Sequence, residues 1–242
     1  MQIIRGFDSL PAIDNLVATV GSYDGVHLGH KVLLDTVIER AKCRNGRSMV
    51  ITFEPHPRIT LKQDAGLKLL TTMEEKAQLL EAVGIDYMLV VNFDEAFSRL
   101  THQQFVDQYL IGKLGLSELV IGYNHHFGHN KSGDYGYLTA QKPTLTVTRV
   151  EQQLIESHKV SSTVIRACID SGDMTTARKL LGHRYIVTEI SDSNGIIAPN
   201  RYKLLPPDGK YQAIVNGEEQ YVTITNGVIA CLLPSQQITI EL

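Results

Sequence analysis

Three cysteines are all the thiol chemistry that these 242 residues hold. Cys43, Cys168 and Cys231 stand far apart, which excludes a zinc-binding spacing and an even-numbered disulfide framework and leaves reduced thiols as the expectation. Long apolar runs are missing too. No uninterrupted stretch approaches the roughly 18 residues of a membrane span, and the opening MQIIRGFDSL lacks the apolar core of a secretory signal, so a cytoplasmic protein with no membrane contact is expected. Charge of one sign is scarce. A net charge of −3 with no basic stripe offers nucleic acid no electrostatic footprint, so small molecules are the expected partners, and oligomeric state is left open. Repeats and low-complexity tracts are also absent. What is present is 43% hydrophobic and 20% charged residues, enough for a sizeable core in one large domain or in a medium and a small one.

From Leu16 to Val150 short β-rich runs alternate with helical ones. Strands are expected at Val17 to Val20, Ser48 to Phe53, Tyr87 to Val91, Leu119 to Gly122 and Leu145 to Val150. Helices are expected at Gly29 to Lys42, Met73 to Val83 and His102 to Lys113, the last two opened by Thr72/Glu75 and Thr101/Gln104 at capping-box spacing. Several strands are apolar on both faces, as in a parallel sheet covered on both sides, so the pattern is an open α/β sheet. After a helix from Met174 to Leu181, closed by Gly182, the composition changes. Tyr185 to Ile190, Lys210 to Val215, Gln220 to Thr225, Val228 to Leu232 and Gln237 to Ile240 alternate with Asn-Gly and Asp-Gly turns and read as a small antiparallel β module. The expected domains are therefore residues 1–183 and 184–242.

In an open α/β sheet, ligands gather beyond the carboxyl ends of the strands, and four motifs fall there. The first is GSYDGVHLGH, from Gly21 to His30, which reads as a glycine turn entering a helix with His27 and His30 three residues apart on one face. Free amides at a helix start, two imidazoles and the bare backbone of Gly29 suit a phosphate, although H-x-G-H alone also fits an ordinary turn with two surface histidines. The second is Ser161-Ser162-Thr163-Val164-Ile165-Arg166, small hydroxyls at a helix start with a forked cation one turn in. The third, Gly122 to Asp134, carries His125, His126 and His129 but no evident third ligand, so a polar ligand loop is expected and a dedicated metal site is not. The fourth, Phe53-Glu54-Pro55-His56-Pro57-Arg58, is a proline-stiffened loop that suits an apolar wall or simply a stiff connection.

GSYDGVHLGH, ITFEPHPR, VIGYNHHFGHNKSGD and VSSTVIRACIDSGDMTTARKLLGHRY occur in the order of the motifs of the bacterial bifunctional riboflavin kinase/FAD synthetase family, whose adenylyltransferase module residues 1–185 resemble. The resemblance implies a Rossmann-like nucleotidyltransferase domain that transfers AMP from ATP to FMN, giving FAD and pyrophosphate, with Mg²⁺ carried on the nucleotide. It assigns His27, His30 and Arg166 to catalysis, and Gly21, Ser22, Tyr23, Asp24, Gly29, Ser162 and Thr163 to the nucleotide. Pro55, Pro57, Asn124 and Phe127 fall on the flavin side. Two departures stand out. His125 and His126 replace the Phe and Arg common in that loop, with Lys131 where Arg is frequent, and residues 184–242 carry no Pro-Thr-Ala-Asn motif, having only Gly195 to Asn200 as the nearest stretch. The module is therefore expected to be a shortened kinase-like remnant without riboflavin kinase activity. A non-catalytic flavin- or nucleotide-binding regulator, or a nucleotidyltransferase for another phosphate acceptor, are the alternatives.

Overall fold

A computed structural model describes all residues except 64–65, 124, 142–144, 152–153, 156–157, 232 and 234–236. The chain forms two compact units, one of residues 1–23, 29–67 and 79–153, the other of residues 24–28, 68–78 and 154–242.

The first unit is built on a six-stranded sheet of β1 (Gln2–Arg5), β2 (Val17–Val20), β3 (Ser48–Glu54), β4 (Tyr87–Asn92), β5 (Glu118–Gly122) and β6 (Thr146–Val150). All five pairings are parallel, in the order β1-β4-β3-β2-β5-β6. Every side chain of β2 is buried, as a strand covered on both faces requires. From β2 the chain first steps outward through β3 and β4, then returns to β2's other side with β5 and β6, so the strand order reverses at β2. Such a reversal opens a crevice beyond the strand ends. β1 was not anticipated, because it is short and buries only Ile4.

The connections are α1 (Leu28–Cys43), α2 (Pro57–Thr60), α3 (Met73–Val83), α4 (Glu95–Ser98), α5 (His102–Gln104) and α6 (Tyr135–Gln141). α1 buries Leu34, Val37 and Ala41, one stripe at helical spacing. Both predicted capping boxes form: Thr72 N donates to Glu75 Oε2 at 2.8 Å and Glu75 N to Thr72 Oγ1 at 3.2 Å, and Thr101 and Gln104 exchange the same pair. The helix expected from His102 to Lys113 is α only through Gln104 and continues as a wider π-type coil over Phe105–Lys113. α1 begins at Leu28, which corrects the reading of His27 and His30 as neighbours on one helical face. His27 precedes the helix, since the backbone reaches it through positive φ at Gly25 (84°) and Val26 (40°).

In the second unit, the antiparallel pair β7 (Leu154–Ile155) and β8 (His158–Lys159) precedes α7 (Ser162–Asp170) and α8 (Met174–Leu181), which Gly182 closes in the left-handed region at φ 79°. Six antiparallel strands follow: β9 (Ile186–Ile190), β10 (Ile196–Ile197), β11 (Gly209–Val215), β12 (Glu218–Thr225), β13 (Val228–Ala230) and β14 (Gln237–Glu241), in the order β10-β13-β12-β11-β14-β9. The turns Asn216-Gly217 and Asn226-Gly227 have positive φ at both residues, which matches the twist of a two-residue hairpin. Ile165 and Ile169 of α7 and Ala177, Leu180 and Leu181 of α8 share one core with Val187, Val222, Ile224 and Ile238 of the sheet.

Candidate active site

Beyond the carboxyl ends of β2, β3 and β5 lies a cavity of about 290 Å³. Val20 and Gly21 line it at the end of β2, Phe53 and Pro57 at and beyond the end of β3, and His125 to Gly128 after β5, with Phe93, Phe97, Ser98, Leu100 and Phe105 completing the wall. It therefore sits at the point where the strand order reverses. Its rings meet edge to face, Phe53 with Phe93 at 5.3 Å and Phe97 with Phe105 at 5.9 Å, while His125 stacks on Phe127 at 5.8 Å and 25°. Burial lowers His125 to about pKa 4, with His126 adding to the shift, so it faces the cavity as a neutral ring. The loop bearing these residues is pinned by two bonds of 3.0 Å between Phe127 and Gly133, and by Gly128, where a Cβ would lie 2.5 Å from His102 N. An apolar, ring-lined slot of this kind suits a planar aromatic ligand.

Of the residues expected on the flavin side, Pro57 and Phe127 line this cavity, whereas Pro55 is exposed and Asn124 lies outside the described residues. Phe93 and Phe97 were missed. Their signal was legible, two aromatics four residues apart directly after a strand end. Gly21 is in the wall, and a Cβ on it would come within 3.1 Å of the Tyr23 ring. Tyr23 is buried, its hydroxyl 2.6 Å from Thr19 Oγ1 and its ring 4.9 Å from that of His30. Burial pushes its phenol well above the usual range, so it stays neutral. Ser22 holds its place through its carbonyl, which accepts from Thr52 Oγ1 at 3.3 Å, and Gly29 and His30 are half-buried in the first turn of α1.

In the second unit a different set converges. Arg166, one turn into α7, donates from Nη2 to Asp24 Oδ2 and from Nε to the Lys68 carbonyl at 2.7 Å. Ser161 caps the helix, its Oγ accepting from Val164 N at 3.4 Å, while Ser162 Oγ donates to the Asp24 carbonyl at 3.0 Å and Thr163 is exposed. His27 is 5% exposed. Its imidazole is pushed down to about pKa 4 by burial, against the pull of Asp24 and with His183 and Arg166 adding to the burial. His183, a residue the sequence did not flag, sets its two ring nitrogens against the carbonyls of Arg184 at 2.7 Å and of Gly25 at 3.0 Å. No signal short of the fold marks it. Since the Ser162 hydroxyl is given to a carbonyl and not to a base, it is a hydrogen-bonding group and not an activated nucleophile. What these residues offer is donors and positive charge for an anion.

The family model for FAD synthetase matches residues 11–164. The chain belongs to the FAD synthetase family. The matched span takes in the Gly21 to His30 turn, the Phe127 loop, Ser162 and Thr163, and stops two residues short of Arg166. A relative named FAD synthetase from Listeria monocytogenes is 32% identical over 213 residues, covering 87% of this chain and 84% of that protein. The bifunctional riboflavin kinase/FMN adenylyltransferase of Escherichia coli is 33% identical over 194 residues, covering 78% of this chain. The match spans 61% of that bifunctional protein's length. In fold, a crystal structure described as a macrolide-efflux protein from Streptococcus pneumoniae superposes with a TM-score of 0.85 at 21% identity over 100% of this chain and 90% of its own. Among the described residues, no helix is long and apolar enough to cross a membrane, and no group of three or more His, Cys, Asp or Glu is arranged to hold a metal ion.

Proposed function

We propose that this FAD synthetase family member transfers AMP from ATP to the phosphate of FMN, releasing pyrophosphate and FAD. The observation that carries the reading is the aromatic cavity at the reversal of strand order, whose wall includes Gly21, the first residue of the histidine turn. An isoalloxazine fits such a slot, with Pro57 and Phe127 against it and Asn124 and Pro55 as its further assigned contacts. His27, His30, Ser162, Thr163 and Arg166 are assigned to the phosphates, and Gly21, Ser22, Tyr23 and Gly29 to the nucleotide. Magnesium enters with the triphosphate as the Mg·ATP substrate. With no activated nucleophile among these residues, rate enhancement rests on alignment of the FMN phosphate with the α-phosphorus and on stabilisation of the charge that develops there.

The reading places the adenylyltransferase in residues 1–183 and assigns no kinase step to residues 184–242, which lack the Pro-Thr-Ala-Asn motif. Small molecules are its partners and the cytoplasm its place. The test is formation of FAD and pyrophosphate by the purified protein with Mg·ATP, supplied with FMN or with riboflavin, and with CTP in place of ATP. FAD is expected from FMN and ATP alone, reduced at least about a hundredfold in a His27→Ala, His30→Ala double variant. FAD from riboflavin would restore a kinase step. Flavin binding without FAD would make the chain a binding protein, and transfer only from CTP or only to another phosphate would change the substrate class.

A further inference from the structure

Asp24 was assigned to the nucleotide, yet its carboxylate faces the protein. The residue is 2% exposed. Its Oδ1 accepts from Leu70 N at 2.9 Å, from Thr71 N at 3.1 Å and from Thr71 Oγ1 at 3.4 Å, and its Oδ2 accepts from Arg166 Nη2. A carboxylate has about four lone-pair sites, so these donors leave little for a ligand. The main chain of the same residue is equally committed, because its carbonyl accepts from Ser162 Oγ at 3.0 Å and the next amide, Gly25 N, donates to Thr71 Oγ1 at 3.1 Å. The carbonyl of Gly25 in turn faces His183 Nε2 at 3.0 Å.

One residue thus ties together three groups that adenylyl transfer would use: the Arg166 fork through its side chain, and the Ser162 hydroxyl and the backbone leading into His27 through its main chain. Arg166 has five N–H donors on a long, rotamer-rich stem, and an anion is bound well only if that stem does not have to be ordered at the moment of binding. Asp24 and the Lys68 carbonyl take two of the five donors and hold the guanidinium in one plane, leaving the others for an incoming anion. The charge of Asp24 also draws the pKa of His27 upward, but burial, His183 and Arg166 outweigh it and keep the imidazole neutral.

We propose that Asp24 is a positioning residue for the nucleotide's phosphates, acting through Arg166, and not a contact of the nucleotide itself. The proposal rests on the adenylyl-transfer reading for its function and on Arg166 for its geometry. It is tested by a double-mutant cycle over wild type, Asp24→Asn, Arg166→Gln and the two combined. The measurements are the Kd for ATP by calorimetry, KM and kcat for FAD formation, and, as controls on integrity, the Kd for FMN by flavin fluorescence and the Tm.

Asp24→Asn is expected to weaken ATP binding and raise the ATP KM roughly tenfold while FMN affinity stays within about twofold, and the double variant is expected to be no worse than Arg166→Gln by more than about twofold. Wild-type behaviour of Asp24→Asn overturns the proposal. So do penalties that multiply in the double variant, which would mean that Asp24 touches the nucleotide independently of Arg166, and so does a joint collapse of FMN affinity and Tm, which would make the residue merely structural. Should Asp24→Asn fail to fold, Thr71→Val removes one donor to the carboxylate and the acceptor of Gly25 N. A severalfold rise in ATP KM with unchanged FMN affinity then supports the proposal, and no change overturns it. A wild type that binds ATP but forms no FAD defeats the adenylyl-transfer reading alone, since the cycle on ATP Kd still decides the role of Asp24. A wild type that binds no ATP defeats both.

Discussion

The charge state of His27 is set by its burial, and that has a measurable consequence. Its imidazole titrates near 4 in the folded protein, against about 6.5 when exposed to water. As pH falls through that interval the unfolded chain takes up the proton first, so folding stability declines from about pH 6.5 to about pH 4 and levels off below. The two values bound the contribution at about 3 kcal/mol. His27→Gln removes the titration. Its stability, followed by urea unfolding between about pH 7.5 and 4.5, is expected to fall less steeply than that of the wild type, with a residual slope from His125, which is also lowered to about 4. Equal slopes for the two proteins would mean that His27 is not held neutral. At this scale the turn motif was legible because glycine, aspartate and histidine announce themselves. The protein-facing role of Asp24 was not, because its donors Leu70, Thr71 and Arg166 lie at least 46 residues away in the chain.

Between elements, one buried carboxylate joins α1 to the sheet. Glu118, the first residue of β5, is fully buried and accepts from Arg40 Nε at 2.6 Å, Arg44 Nε at 2.6 Å and Thr148 Oγ1 of β6 at 2.7 Å. Burial raises its pKa, and the bonds from Arg40, Thr148 and Arg44 outweigh it, so the carboxyl lies below its usual range. Arg40, in the last turn of α1, and Arg44, just beyond its end, reach the same acceptor. Glu118→Gln is expected to cost about 2–3 kcal/mol in guanidinium chloride unfolding, less than the roughly 3–5 of a fully buried pair, because both guanidiniums reach water. A loss below about 0.5 kcal/mol would show that the network is ornamental. The sequence revealed α1 and β5 through their apolar periods. It could not reveal that a glutamate at a strand start serves a helix 74 to 78 residues earlier.

For the molecule as a whole, the second unit depends on a polar contact inside a core. Lys203 and Glu75 are both fully buried and 2.6 Å apart, and the remaining donors of the ammonium go to the carbonyls of Leu70 at 2.7 Å and Ile186 at 2.6 Å. Glu75 Oε1 accepts in addition from Thr188 N at 2.9 Å, and the ammonium lies 4.2 Å from the centroid of the Tyr185 ring. Every partner is satisfied, so removal of one end strands the other. Lys203→Met is expected to destabilise the protein by about 3–5 kcal/mol in denaturant unfolding, and Glu75→Gln combined with it to recover part of that loss. A single variant no less stable than wild type would mean that the pair is replaceable by packing.

Local features were legible along the chain. The strands β2 to β6, the helices α1 and α3, both capping boxes, the Gly182 stop and the Asn-Gly hairpins follow from side-chain period, from hydroxyls beside free amides and from the low cost of positive φ at glycine and asparagine. Tertiary structure alone decided which of these local pieces meet. It set the reversal of strand order at β2, closed the ring-lined cavity from residues more than a hundred positions apart, and turned Asp24 inward onto Arg166. The reason is physical. Periodicity and capping are properties of a few neighbouring residues, whereas a buried carboxylate or a shaped cavity is defined by partners that only the folded chain brings within bonding distance.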